Sequence, residues 1–134
     1  MRLTGYHGLT MGDAITGAWR SGEMYVAYDR SLASDVAIGG KVYAVAYEAR
    51  YPLVLDTPAA FIAVWVGCGA DAVPRSFDDQ KALLFAYARA RGYDAVCIPA
   101  SAFEGEMGYE WVAGTFGEPQ MLLLEPKRAV LTPC

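Results

Sequence analysis

The stretch Lys41–Arg50 constrains the fold most. Strand alternation sets Tyr43, Val45 and Tyr47 on one face and Val42, Ala44 and Ala46 on the other. Neither face is strongly polar, so the segment reads as a central strand covered on both sides. A strand of that kind needs neighbours in a sheet and a packed layer over each face.

The rest of the chain supplies strands and helices in irregular order. Arg2–His7 reads as a first short strand, Gly8–Gly12 as a turn, and Asp13–Trp19 as a short helix that Ser21-Gly22 breaks. Glu23–Tyr28 is a strand, and Ser31 is an N-cap type for a short helix reaching Ala37. Beyond Gly39-Gly40 and the central strand, Pro52–Leu55 reads as a short strand. Pro58–Val66 fits either a short helix or a buried strand, because its apolar run carries no period. Gly67–Arg75 is a loop. Ser76 then opens the clearest helix: Asp78 and Asp79 suit its first turn, Phe77, Leu84 and Ala88 share a face with Lys81, and Gly92 supplies the stop. The charges Asp78, Asp79, Lys81, Arg89 and Arg91 read as a solvated face. Asp94–Ile98 is a strand, Pro99–Gly117 a long loop holding a small strand at Tyr109–Ala113, Gln120–Leu124 a strand, and Ala129–Leu131 a last strand after a turn at Pro126. Helices and strands do not alternate regularly, which favours α+β over a doubly wound parallel sheet.

Size and composition fit one domain over residues 1–134. Apolar residues make up 54%, enough for a core. The net charge of −4 argues against a broad phosphate-binding surface, since non-specific nucleic-acid affinity comes from Lys and Arg. The three cysteines, Cys68, Cys97 and Cys134, give no disulfide framework, and one histidine with no close cysteine pair gives no zinc motif. Met1–Gly12 has no signal-peptide pattern, and the apolar stretch Ala59–Val66 is too short to span a bilayer. These features lead to the expectation of a soluble, cytoplasmic protein with no metal and no membrane partner.

Four segments carry a resemblance when taken in order. They are Tyr6-His7-Gly8; Gly22-Glu23-Met24-Tyr25-Val26-Ala27 with the Ser- and Ala-rich stretch Asp29–Ala37; Gly40–Tyr47 with Pro52–Leu55; and Gly92-Tyr93-Asp94-Ala95-Val96 followed by Gln120–Pro126. Together they resemble the ADP-ribosyltransferase superfamily, in the His-Tyr-Glu branch that includes diphtheria toxin and the poly(ADP-ribose) polymerases. The resemblance spans nearly the whole chain. It implies an ADP-ribosyltransferase-like split β-sheet core with flanking helices and NAD⁺ as co-substrate. It also implies a reaction in which the nicotinamide–ribose bond is cleaved and ADP-ribose passes to a macromolecule. Given the acidic charge, that acceptor is expected to be a protein rather than nucleic acid, and a compact domain of this family suggests a toxin or phage-type effector.

The same resemblance assigns roles. His7 would orient the nicotinamide ribose, the Gly8 backbone would meet the carboxamide, and Tyr25 would pack on the nicotinamide ring. Tyr6 and Tyr28 are further cofactor-binding candidates. The family places a Glu at the head of a late strand, where its charge stabilises the oxocarbenium-like ribose. Here that position is Gln120, which can hydrogen-bond but carries no charge. Either the site transfers a single ADP-ribose with Gln120, or it binds NAD⁺ with little turnover, or Glu118 or Glu110 supplies the acid. The aromatic residues Phe103, Tyr109, Trp111 and Phe116 mark the long loop for target recognition. An unrelated α+β interaction protein is the remaining alternative.

Overall fold

The computed structural model describes residues 1–9, 24–37, 40–69 and 77–134. The expected helix over Asp13–Trp19, the Ser21-Gly22 break and the Ser76 cap lie outside these residues. The described strands are β1 (Arg2–Leu9), β2 (Met24–Ala27), β3 (Lys41–Glu48), β4 (Pro52–Val54), β5 (Ala95–Ile98), β6 (Gln120–Leu123) and β7 (Val130–Pro133). The longer helices are α1 (Arg30–Ala37), α2 (Pro58–Gly67) and α3 (Phe77–Ala90). The class is α+β, with a seven-stranded sheet in the order β4-β5-β6-β2-β1-β3-β7. Only β4 and β5 pair in parallel; the other described pairs are antiparallel.

The strand expected to be interior is interior. β3 pairs with β1 from Arg2↔Glu48 to Leu9↔Lys41 and with β7 on its other edge. The β1–β2 junction differs, because its described register is the single pair Tyr6↔Ala27. On either side of it the sheet packs against itself. Leu3, Val45 and Tyr47 from the β1–β3 half share one buried cluster with Val26, Met121 and Cys97 from the β2–β6–β5 half. The sheet is therefore bent at the β1–β2 junction, with its two halves face to face. α1 covers the outer face of the first half through Ala33, Ala37 and Val42. α2 and α3 cover the outer face of the second half through Phe61, Trp65, Leu84 and Ala88 on Val96, Ile98 and Leu122.

Local chemistry explains the elements. Thr57 caps α2, its hydroxyl accepting from the Ala60 N–H at 3.0 Å, with Pro58 in the first turn. The ambiguous apolar run is thus a helix. α1 is capped by Asp29, not by Ser31: the Asp29 carboxylate accepts from both the Ser31 N–H and its hydroxyl at 2.9 Å. Gly92, at φ +78°, stops the chain after α3 as its position implied. The span Pro99–Gly117 is not a loop with a strand at Tyr109–Ala113. It is helical, with a 3-10 turn at Ala100–Phe103, then a run of α (Gly105–Met107), π (Gly108–Ala113) and α (Gly114–Phe116) turns. Val112 and Phe116 face inward and join the core beneath α2, which a strand at that position would not allow. No described helix is long and apolar enough to cross a membrane.

At the end of the sheet away from α1, Asp94 is buried at 5% exposure. Its carboxylate accepts from the Arg50 and Tyr51 N–H groups at 2.8 and 3.0 Å and from Arg128 at 3.1 Å. Its carbonyl accepts from the Tyr47 hydroxyl and the Leu124 N–H. Burial alone would raise the Asp94 pKa, but these hydrogen bonds and the guanidinium hold it below the usual carboxylate range.

Candidate functional site

Where β1 and β2 part, a cleft of about 320 Å³ opens between α1 and α3. β1 contributes Tyr6, His7 and Gly8, and β2 contributes Tyr25, Val26 and Ala27. α1 adds Leu32 and Ala33, α3 adds Lys81, and the approach to β6 adds Glu118 and Gln120. Residues from the far ends of the sequence thus share one wall because β6 pairs with β2, with Gln120 opposite Ala27.

The His7 Nδ1 lies 2.7 Å from the Tyr25 carbonyl oxygen. A carbonyl only accepts, so Nδ1–H is the donor of this hydrogen bond. A side chain therefore bridges β1 and β2 where their described ladder has ended. The Tyr25 ring is 42% exposed and meets Phe85 of α3 edge to face, with centroids 6.1 Å apart. This contact fixes one edge of the ring while leaving much of its surface accessible.

Gly8 has a structural reason of its own. A Cβ there would lie 2.0 Å from the Ala33 carbonyl oxygen, so only glycine lets α1 lie this close to β1. At Gly5 a Cβ would stand 2.5 Å from the Ala27 carbonyl, and its absence permits the bend between the two half-sheets.

Gln120 is half-buried at the head of β6. Its Nε2 donates to the Phe116 carbonyl at 3.0 Å and to the Glu118 carbonyl at 3.3 Å. Both partners are acceptors, which fixes the amide orientation and leaves Oε1 as the hydrogen-bonding atom that the side chain can offer a ligand. Glu118 is brought into the cleft beside it, whereas Glu110 sits exposed on the π turn and is not among the cleft residues.

Two expectations are corrected. Tyr28 does not line this cleft. It falls past the end of β2 and borders a second depression with Arg2, Thr4, Ala44 and Thr132, and its phenol and the Cys97 thiol are electrostatic neighbours. Burial raises the pKa of both groups, the Cys97 thiol to about 11. Lys81, read as part of a solvated face, belongs to the cleft, with its ammonium 5.1 Å from the Phe116 ring centroid. The pattern of charges along α3 held no sign of this, because the contact depends on where the helical run docks. That run also divides its aromatics: Phe103 and Phe116 pack in the core, while Tyr109 and Trp111 face outward.

Among the described residues, no group of three or more His, Cys, Asp or Glu side chains is placed to hold a metal ion. The described residues of the cleft instead offer hydrogen-bond acceptors, an aromatic face, the Glu118 carboxylate and the Lys81 ammonium.

No protein-family model matches the chain, and no curated protein matches it. Among solved structures, the crystal structure of an anti-CRISPR protein is similar in fold. The TM-score is 0.51 at 13% identity, and the match covers 100% of this chain and 96% of that one.

Proposed function

We propose that this chain is a mono-ADP-ribosyltransferase built on an ADP-ribosyltransferase-like split β core. The observation that carries the reading is convergence: Tyr6-His7-Gly8, Tyr25 and Gln120, far apart in sequence, line one cleft at the opening of the sheet. The volume, about 320 Å³, is at the low end for small-molecule sites. It suits the nicotinamide ribose of NAD⁺, with the adenosine diphosphate extending beyond it. The nicotinamide packs on Tyr25, and His7, held by the Tyr25 carbonyl, orients the ribose. Gln120 Oε1 accepts from a ribose hydroxyl. Lys81 is the cation available to the diphosphate. The glycosidic bond breaks with its electron pair leaving on nicotinamide, and an acceptor nucleophile takes the ribose carbon as its proton passes to solvent.

The fold shared with an anti-CRISPR protein suggests the acceptor class. We take the target to be a protein of a CRISPR system and the site of action to be the cytoplasm, as for a phage-type effector. The test is incubation with adenylate-labelled NAD⁺ and purified CRISPR effector complexes. Label should appear on protein with matching nicotinamide release, and His7→Ala should remove both. Wild-type protein that releases no nicotinamide and labels no effector would refute the transferase reading.

The neutral amide of Gln120 favours a second reading, an NAD⁺-binding module without turnover. Saturable NAD⁺ binding with no nicotinamide release would select it.

A further inference from the structure

α3 leaves the cleft at Lys81 and ends at Ala90, about 14 Å further along its axis. Past that end, three tyrosines and an arginine adjoin one another. Tyr51 and Tyr93 meet edge to face, with ring centroids 4.6 Å apart. Tyr87 and Arg91 are electrostatic neighbours of the Tyr93 phenol, and the Arg91 guanidinium lies 3.7 Å from the Tyr87 ring centroid. Tyr51 is 54% exposed, and Tyr87 and Tyr93 are half-buried.

The charges around these rings are mostly basic. Arg50, whose N–H binds the Asp94 carboxylate, is exposed, and so is Lys127, the neighbour of Arg128. Arg89 donates to the Leu124 carbonyl at 3.3 Å. The described carboxylates at this end are answered within the fold. Asp94 is buried, Glu125 meets Arg128 at 2.6 Å, and Glu48 meets the Met1 ammonium at 3.1 Å. The net charge of −4 therefore conceals a local excess of cations. Accessible rings interleaved with guanidinium groups suit strands whose bases are free: phosphates meet the cations, and bases stack on tyrosine and on the planar guanidinium. An acidic peptide would use the charges but not the rings, and a duplex keeps its bases stacked on one another.

We propose that Tyr51, Tyr87, Tyr93 and Arg91 form a docking surface for single-stranded nucleic acid, with Arg50 and Lys127 on its phosphates. The surface lies at the opposite end of α3 from the cleft, so the assignment goes beyond the transferase reading and does not depend on it.

The experiment is fluorescence anisotropy at low and rising salt. The probes are a labelled oligothymidylate, its oligouridylate counterpart, the same DNA as a duplex, and polyglutamate. The proteins are wild type, Tyr51→Ser, Arg91→Gln, Lys127→Gln and Lys81→Gln, each checked by thermal melting. Both single strands should bind wild type at least about tenfold more tightly than duplex or polyglutamate. Tyr51→Ser should weaken them by about fivefold or more at every salt concentration, as loss of a stacking ring does. Arg91→Gln and Lys127→Gln should each lower the slope of log affinity against log salt by about 0.7. Lys81→Gln, which alters the cleft, should change neither quantity. Absence of single-strand binding to wild type overturns the assignment, as does equal binding of duplex or polyglutamate. Binding that falls in Lys81→Gln but not in Tyr51→Ser or Arg91→Gln places the strand in the cleft and also overturns it. Should Tyr51→Ser fail to fold, the salt slopes of Arg91→Gln and Lys127→Gln decide: slopes equal to wild type in both overturn it. NAD⁺ titration tests the transferase reading separately from all of these outcomes.

Discussion

The two ends of the bent sheet treat their polar groups in opposite ways. Around Asp94, the groups are spent on the fold. Both carboxylate oxygens, the carbonyl, the Tyr47 hydroxyl and the Arg128 guanidinium meet one another, and Arg128 also reaches Glu125 at 2.6 Å and the Glu48 carbonyl. Burial first, and then the Asp94 charge, push the Tyr47 phenol up to about 12. At the β1–β2 junction, the described backbone ladder ends at one pair and a side chain, His7, makes the bridge to Tyr25. Glu118, Lys81 and Tyr25, which is 42% exposed, line the open cleft there. The first end has the character of a staple. The second borders the open cleft that the proposed function takes as the NAD⁺ site.

If this contrast is right, mutations at the two ends should separate stability from binding. The largest effect is expected for Asp94→Ala. Removing the buried carboxylate leaves the Arg50 and Tyr51 N–H groups without their acceptor, at about 1–3 kcal/mol each, read by urea unfolding. Surviving molecules should keep the cleft's ligand affinity. Gly8→Ala should cost about 1–3 kcal/mol, because its Cβ collides with the Ala33 carbonyl. Since α1 must shift, it should also weaken NAD⁺ binding, so it is the one substitution here expected to affect both properties.

The acid limb gives a smaller effect. The folded Asp94 pKa lies below its ordinary value, so the stabilisation is fully present above the unfolded value of about 3.9 and is lost as pH falls through the folded one. Urea midpoints measured from pH 7 to pH 2 should fall less steeply in Asp94→Asn than in wild type. A parallel fall in both proteins would show that the staple does not titrate as described. The smallest effect concerns the cysteines. Iodoacetamide at pH 8 should label exposed Cys134 and spare Cys97, whose burial raises the thiol pKa to about 11. Labelling of Cys97 in folded protein would mean that the β5–β6 half opens more readily than its packing implies.

Much of this was legible in the sequence, but unevenly. The central strand was readable because both its faces are apolar, and α3 because of its period and Gly92. Pro58–Gly67 could not be read by period, since an all-round apolar helix has none. The helical run is not legible as helix, because Gly105, Gly108, Gly114 and Gly117 lower its helix propensity. Gly108 is instead needed where the run presses on the Phe103 backbone, with room for no Cβ. For the cleft, His7, Tyr25 and Gln120 were found through resemblance. Lys81 was not, since its place depends on tertiary packing against Phe116. Tyr28, a cofactor-binding candidate through the resemblance, follows the end of β2 at Ala27 and lines the second depression instead.

The most direct test of the central claim is calorimetric titration of NAD⁺ into wild type and His7→Ala, alongside urea unfolding of both. Wild type should show saturable one-site binding that weakens by at least about tenfold in His7→Ala, with stability changed by less than about 1 kcal/mol. Absence of binding to wild type, or equal binding to both proteins, would contradict that claim.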